Sequence, residues 1–241
     1  MKTGLEWKKL KRTGYLPTFL GAGLLAAAFP VIQMAVREET FTALSGSPFQ
    51  ILMNANWQMM AMLNLLWVIC GCCMMYHTEF ADHGQQKMET LPVRQGSLFL
   101  GKFFVTALAS LGILTVEMAA VYGCIGYWFA PEELKIDMFL KNLGFQFFVF
   151  LPTGMVMLVI ASLCKNMWMS LGLGVILVFA ATMLPQGSLT LGLLPFAAPY
   201  QTLFSVEEQG KTELVLAVCG LETVGFAFLE MMILKIRRYL R

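Results

Sequence analysis

Six runs of this chain are long and oily enough to cross a lipid bilayer, and that property excludes most ways of folding it. A helix needs about 20 apolar residues to traverse roughly 30 Å of hydrocarbon. The runs lie at about 16–36, 52–76, 99–128, 142–164, 167–186 and 213–235. Barrel strands would alternate apolar and polar residues over about ten positions, whereas VMLVIASLC at 156–164 and LGVILVFAA at 173–181 show no such period. The spans are therefore predicted as helices, and the fold as an all-α integral membrane protein with a single transmembrane domain over 1–241. The composition agrees: charged residues make up 13% of the chain, against about a quarter in soluble domains.

An even number of spans puts both termini on one side, and the basic residues say which. Cytoplasmic flanks carry the excess of Lys and Arg. With the termini inside, the inner segments hold 13 of the 17 basic residues, among them Lys8, Lys9, Arg12, Lys87, Arg94 and Lys102. The outer loops keep Arg37, Lys135, Lys141 and Lys211. The termini are therefore expected in the cytoplasm. The first apolar run is longer than a signal-peptide core and lacks a small-residue cleavage site, so it is expected to stay in the mature chain. The lead LEWKKLKRTGYL reads either as a short interfacial helix, with Lys8, Lys9 and Arg12 opposite Trp7 and Leu10, or as a basic flank that sets topology.

The outer connection MLPQGSLTLGLLPFAAPYQTLFSVEEQGK is apolar but punctuated by Pro185, Pro195 and Pro199. Each proline removes a backbone donor and restrains its predecessor, so no continuous spanning helix is expected there. Residues 166–206 carry no charged side chain, which predicts one or two short re-entrant or interfacial helices packed into the outer leaflet. The other outer loops, bearing Glu38, Glu39, Glu132, Glu133 and Asp137, read as solvated connections.

Several chemistries find no support. The chain has no G-x-x-x-x-G-K-[ST] loop to cradle phosphates, so ATP-driven work would need a separate subunit. A net charge of +2 carries no nucleic-acid signal. Metalloprotease helices place two histidines four residues apart on one face, but His77 and His83, beside Glu79 and Asp82, are six apart and about 120° off. The six cysteines lie in or beside apolar runs and read as free thiols, with the CGCC at 70–73 as small packed side chains. No catalytic, metal or cofactor-binding residue is expected.

Ionisable and amide groups inside spans are more informative, because such groups are costly in hydrocarbon and face a partner or a wet path. Glu117 lies mid-span in LTVEMAAV, and Glu222 lies in the last span. Both read either as part of a substrate path or as inter-helix contacts. Glu230, near the basic inner end, is explained by snorkelling or by pairing with Lys235 or Arg237. Asn54, Asn56, Gln58 and Asn64 in the second span read as hydrogen-bonding glue between helices.

The segment TEFADHGQQKMETLPVRQGSLFLGK, residues 78–102, is the one compact mixed-charge stretch on the inner side. As a helix from Glu79 to about Leu91 it would bring Phe80, Met88 and Leu91 within roughly 80° of arc. Pro92 ends it, since the residue before proline avoids the α region.

Taken together, the chain resembles the permease subunits of ABC-2 type exporters, most of all the small permeases of lantibiotic self-protection (immunity) transporters. The resemblance spans the basic lead, the six spans, the polar second connector and the proline-broken outer segment. Its sharpest part is Glu79, then QQKMETLPVR at 85–94, then Lys102. It implies a half-transporter of the bacterial cytoplasmic membrane whose inner segment is a coupling helix docking on a separate ATPase. The residues it assigns to coupling are Glu79, Phe80, Gln86, Lys87, Met88, Glu89, Leu91 and Arg94. Glu117, Glu222, Asn54 and Asn64 are left as pathway or inter-helix positions. It further implies two ATPase subunits holding the ATP and Mg, a second permease chain identical or homologous to this one, and an amphipathic cationic antimicrobial peptide as cargo, drawn from the membrane lipid to the outside. A hydrophobic drug, as in multidrug resistance, or a lipid is the alternative cargo. An ATP-independent secondary transporter or channel is a second reading, for which no internal repeat is visible. An intramembrane protease is a third, and it lacks ligating histidines inside a span.

Overall fold

The computed structural model describes residues 10, 14–80, 95–129, 136–164, 166–184 and 189–239, the side chains of 238 and 239 excepted. Among these residues there are helices and connecting turns and no strand. Six main helices succeed one another: α1 (Tyr15–Thr42), α2 (Pro48–Phe80), α3 (Gln95–Trp128), α4 (Ile136–Leu163), α5 (Met167–Thr182) and, after the outer segment, α8 (Thr212–Tyr239). The segment between α5 and α8, named the outer segment after the side on which it is expected, holds α6 (Leu189–Gly192), a 3₁₀ turn (Ala198–Tyr200) and α7 (Leu203–Glu208).

Five of the helices, all but α5 among the six, are long and apolar enough to cross a membrane. Of the six expected spans, α5 is the one that falls short of this length. At 1.5 Å per residue, α5 with its 16 residues is about 24 Å long, short of the hydrocarbon thickness. The other helices run past the edges predicted from hydropathy, because backbone hydrogen bonding continues into turns whose side chains are already polar. In α1 the apolar stretch ends where the helix does bend: Arg37 has non-helical φ −131 and ψ 37, and the helix resumes to Thr42.

The centre of the bundle is α2, which packs against α1, α3, α4, α5 and the 3₁₀ turn. Its buried side includes Leu52, Trp57, Met60, Leu65 and Ile69, which meet Met118 and Val121 of α3, Val149 and Leu158 of α4, and Val178 of α5 in one core. Methionines fill many of these contacts, as suits irregular gaps between helices. The outward sides of α1 and α8 expose Leu20, Leu24, Ile32, Leu221, Val224 and Phe228, the side chains lipid would cover.

Backbones approach closely where side chains are small, as in membrane bundles generally. A Cβ on Gly174 of α5 would stand 2.6 Å from Ile69 Cγ2 and 3.0 Å from Met157 Sδ, so only glycine seats α5 in the groove between α2 and α4. The cysteines share these seams: Cys72 and Cys73 are buried, and the Ser170 hydroxyl of α5 donates to Cys73 Sγ at 3.2 Å. All six thiols are free, with Cys70 half-buried.

The outer segment, expected as short helices in the outer leaflet, turns a row of its apolar residues into the bundle. Phe196, Ala197, Ala198, Tyr200, Leu203 and Phe204 are buried, and the segment packs on α2, α4 and α8 as a cap over the outer end of the bundle. Of the N-terminal lead, Leu10 and residues 14–16 fall among the described residues: Tyr15 and Leu16 already belong to α1, and Leu10 is buried in the cluster that contains Tyr15, Phe19 and Met75.

Candidate functional site

Polar groups gather at three depths of the bundle. At the end of the bundle expected to face the cytoplasm, the inner end, α2 finishes with Tyr76, Glu79 and Phe80, and α3 brings Lys102 to meet them from its second turn. Lys102 Nζ lies 2.6 Å from Glu79 Oε1, with the lysine side chain 2% exposed and the glutamate 16%. The same ammonium sits 5.2 Å from the centre of the Tyr76 ring, whose stacking on Phe80 places ring centres 6.0 Å apart. Glu79 and Phe80 are thus the last two residues of the second long helix. The remaining coupling residues predicted from sequence, Gln86, Lys87, Met88, Glu89, Leu91 and Arg94, lie outside the described residues, as does His83.

Midway through the bundle Asn64 and Glu117 come together across α2 and α3. Asn64 Nδ2 donates to Glu117 Oε2 at 2.8 Å. Glu117 is fully buried, and its second oxygen and Asn64 Oδ1 have no hydrogen-bond partner among the described residues. The pair therefore serves as inter-helix glue while leaving two acceptors unsatisfied, an arrangement that is costly in an apolar interior.

The other members of the predicted set go elsewhere. Asn54 Oδ1 accepts from Thr202 Oγ1 at 3.1 Å at the outer end. Asn56 turns back on its own helix, donating to Leu52 O at 3.0 Å, so it joins no second helix. Glu222 is half-buried on α8 with one oxygen unpartnered and makes no hydrogen bond or ion pair with Glu117. Glu230 departs from the sequence reading in part. It does not snorkel: it is fully buried, neither oxygen has a hydrogen-bond partner among the described residues, and Arg237, whose charge acts on this carboxyl group, donates to Ser162 O at 3.1 Å. The C-terminal carbonyls of α4 offer the guanidinium acceptors that a helix end leaves open.

At the outer end a cavity of about 230 Å³ opens between α2, the outer segment and α8. Polar residues of α2 and of the outer segment, among them Asn54, Gln58, Tyr200, Gln201 and Thr202, supply its polar wall, and no charged residue lines it among the described residues. Burial pushes the Tyr200 hydroxyl up to about 12, so this wall stays neutral at physiological pH. The outer segment is pinned by side chains that reach its backbone. Trp57 Nε1 donates to Pro199 O at 2.9 Å, Gln146 Nε2 to Gln201 O at 3.0 Å, and the Thr153 hydroxyl to Pro195 O. Gln201 Nε2 closes the segment on itself through Gly192 O at 2.7 Å. Thr202 also caps α7, accepting from Ser205 N at 3.3 Å. Sequence reasoning missed Trp57, Gln146 and Thr153. Their signal was an isolated polar group within an apolar run, as in GFQFFVF.

The order of elements, a polar connector after the second long helix and a further set of apolar helices, can be compared with known families. The family model described as ABC-2 family transporter protein matches residues 4–181, well over half of the chain. The chain belongs to the ABC-2 transporter family. It is therefore a multi-pass membrane permease of an ABC exporter, the membrane component that works with an ABC ATPase. No curated protein and no solved structure matches the chain. The matched region of this ABC-2 permease includes the inner-end pair and Asn64–Glu117, and it stops before the outer cap.

Proposed function

We propose that this ABC-2 permease moves an amphipathic cationic peptide of the lantibiotic type from the membrane to the outside, as one half of a self-protection exporter in a bacterial cytoplasmic membrane. The observation that carries the permease role is the family match over residues 4–181, which contains the mixed-charge connector between α2 and α3. Two ABC ATPase subunits, holding ATP and Mg, would engage that connector through Glu79, Phe80, Gln86, Lys87, Met88, Glu89, Leu91 and Arg94. A second permease chain, identical or homologous, would complete the pathway.

The plan includes a six-span topology with both termini inside, α5 being the short member of the six. The outer cap meets Trp57 in the N-terminal half of α2, whereas α5 begins just after the C-terminal end of α4. The short α5 and the turn after it thus lead from one end of the bundle to the other. The cationic cargo is favoured by the described acids of the outer side, Glu38, Glu39, Asp137, Glu207, Glu208 and Glu213, which outnumber Arg37, Lys141 and Lys211. A hydrophobic drug or lipid cargo is the competing reading within the same family.

The test is co-purification and transport. The wild-type chain is expected to retain an ATPase through purification, and Arg94→Ala or Met88→Asp to release it and abolish transport. Retention of the ATPase and full transport in both variants would remove the connector from the coupling role. Stimulation of ATP hydrolysis by a lantibiotic, but not by a neutral lipophilic dye, decides the cargo.

A further inference from the structure

Glu79 and Lys102 stand at the two mouths of the inner connector, one the penultimate residue of α2 and the other in the second turn of α3. A lysine near the end of a spanning helix ordinarily stretches its stem along the apolar surface and leaves its ammonium in water or among headgroups. Lys102 does the opposite: its side chain is 2% exposed, and its ammonium is held at 2.6 Å by Glu79 and faces the Tyr76 ring at 5.2 Å. Tyr76, Glu79 and Lys102 also make further contacts beyond these.

Stability is a weak reason for such an arrangement, because the desolvation of two buried charges offsets most of their attraction. What a short charged hydrogen bond between two helices does provide is a fixed separation. Hydrophobic packing alone between the apolar ends of α2 and α3 would let them slide or splay, since apolar contact has no direction.

We propose that Lys102 is a positioning residue: with Glu79 it clamps the ends of α2 and α3 into one body, so that a push on the connector between them moves both helices together. This rests on the reading that an ATPase engages the connector. The clamp converts force on a short segment into rigid displacement of α2, the central helix of the bundle, together with α3. The Asn64–Glu117 hydrogen bond joins the same two helices deeper in, so they are tied at two depths along their length.

The experiment uses the full chain purified with its ATPase in lipid nanodiscs, with amide hydrogen exchange followed at 74–80 and 95–102. Each complex is compared nucleotide-free and trapped with ATP and vanadate. In the wild type both segments should change protection together on trapping. In Lys102→Met, which keeps the length and packing of the side chain, the ATPase should remain bound while one segment responds and the other does not. Glu79→Lys combined with Lys102→Glu should restore the joint response, and Lys102→Arg should preserve it. The clamp is overturned if Lys102→Met responds like the wild type, if the wild-type segments respond separately or not at all, or if the assembled double swap stays uncoupled. Absence of any ATPase on the wild-type chain would instead sink the permease–connector reading, and the clamp with it. A Lys102→Met complex that fails to assemble leaves the decision to the swap and arginine variants and to the wild-type response.

Discussion

Asn64 and Glu117 hold each other through one hydrogen bond of 2.8 Å, with an unsatisfied acceptor left on each. Inter-helix hydrogen bonds in membranes average about 0.6 kcal/mol in double-mutant cycles, whereas a buried polar group stripped of its partner costs about 1–3 kcal/mol. The second effect is the larger, so Asn64→Leu is expected to destabilise the bundle mainly through the carboxyl it abandons. The double variant Asn64→Leu with Glu117→Leu should recover most of that loss. Reversible unfolding in mixed micelles measures both, and a double variant no more stable than the single one contradicts the account. At this scale much was visible in the sequence. Asn64 and Glu117 were each conspicuous as polar groups within apolar runs, but that they face each other depends on the relative rotation of α2 and α3, which a single sequence does not encode. Glu230 shows the converse, because proximity in sequence to Lys235 and Arg237 suggested a direct pair, whereas with α8 packed on α4 the Arg237 guanidinium donates to Ser162 O and no hydrogen bond reaches Glu230 among the described residues.

Element lengths follow from hydropathy only where lipid sets them. Runs such as 52–76 were recognisable, yet α2 spans Pro48–Phe80 because its terminal turns keep their helical hydrogen bonds after the hydrophobic demand ends. The short α5 was legible as apolar but not as short; its seat in the groove depends on Gly174 rather than on matching the bilayer. Gly174→Val is expected to displace α5 from Ile69 and Met157 and to cost about 1–3 kcal/mol, the usual range for overpacking. A thermal melt in detergent checks this, and Ile69→Ala in the same chain should return part of the loss by making room. The outer cap offers a separate test. Trp57→Phe keeps the aromatic bulk but removes the donor to Pro199 O, so amide exchange at 195–203 should rise while exchange in α3 stays constant. Prolines announced that this stretch would not be a continuous helix, but nothing in its own residues showed that it would be fastened to the bundle, because the donors that hold it belong to α2 and α4.

The whole molecule is a bundle around α2, and its orientation is the global property most open to measurement. Glu208→Cys is expected to react with a membrane-impermeant maleimide added to intact cells, and Thr78→Cys only after the membrane is opened. Reaction of both from the same side would exclude the six-span arrangement with cytoplasmic termini. The expected orientation rests on charge asymmetry alone, which depends on counting residues and not on how they pack. The way the cap is fastened bears on how freely this permease can vary. The donors of Trp57, Gln146 and Thr153 all end on main-chain carbonyls of the segment they hold, those of Pro199, Gln201 and Pro195. Every residue type offers a carbonyl, so the receiving side of these bonds is blind to side-chain identity. The outward face of the cap is thereby left open to rewriting: new loops could be grafted there, or old ones could drift under selection, without unfastening the cap from the helices beneath it.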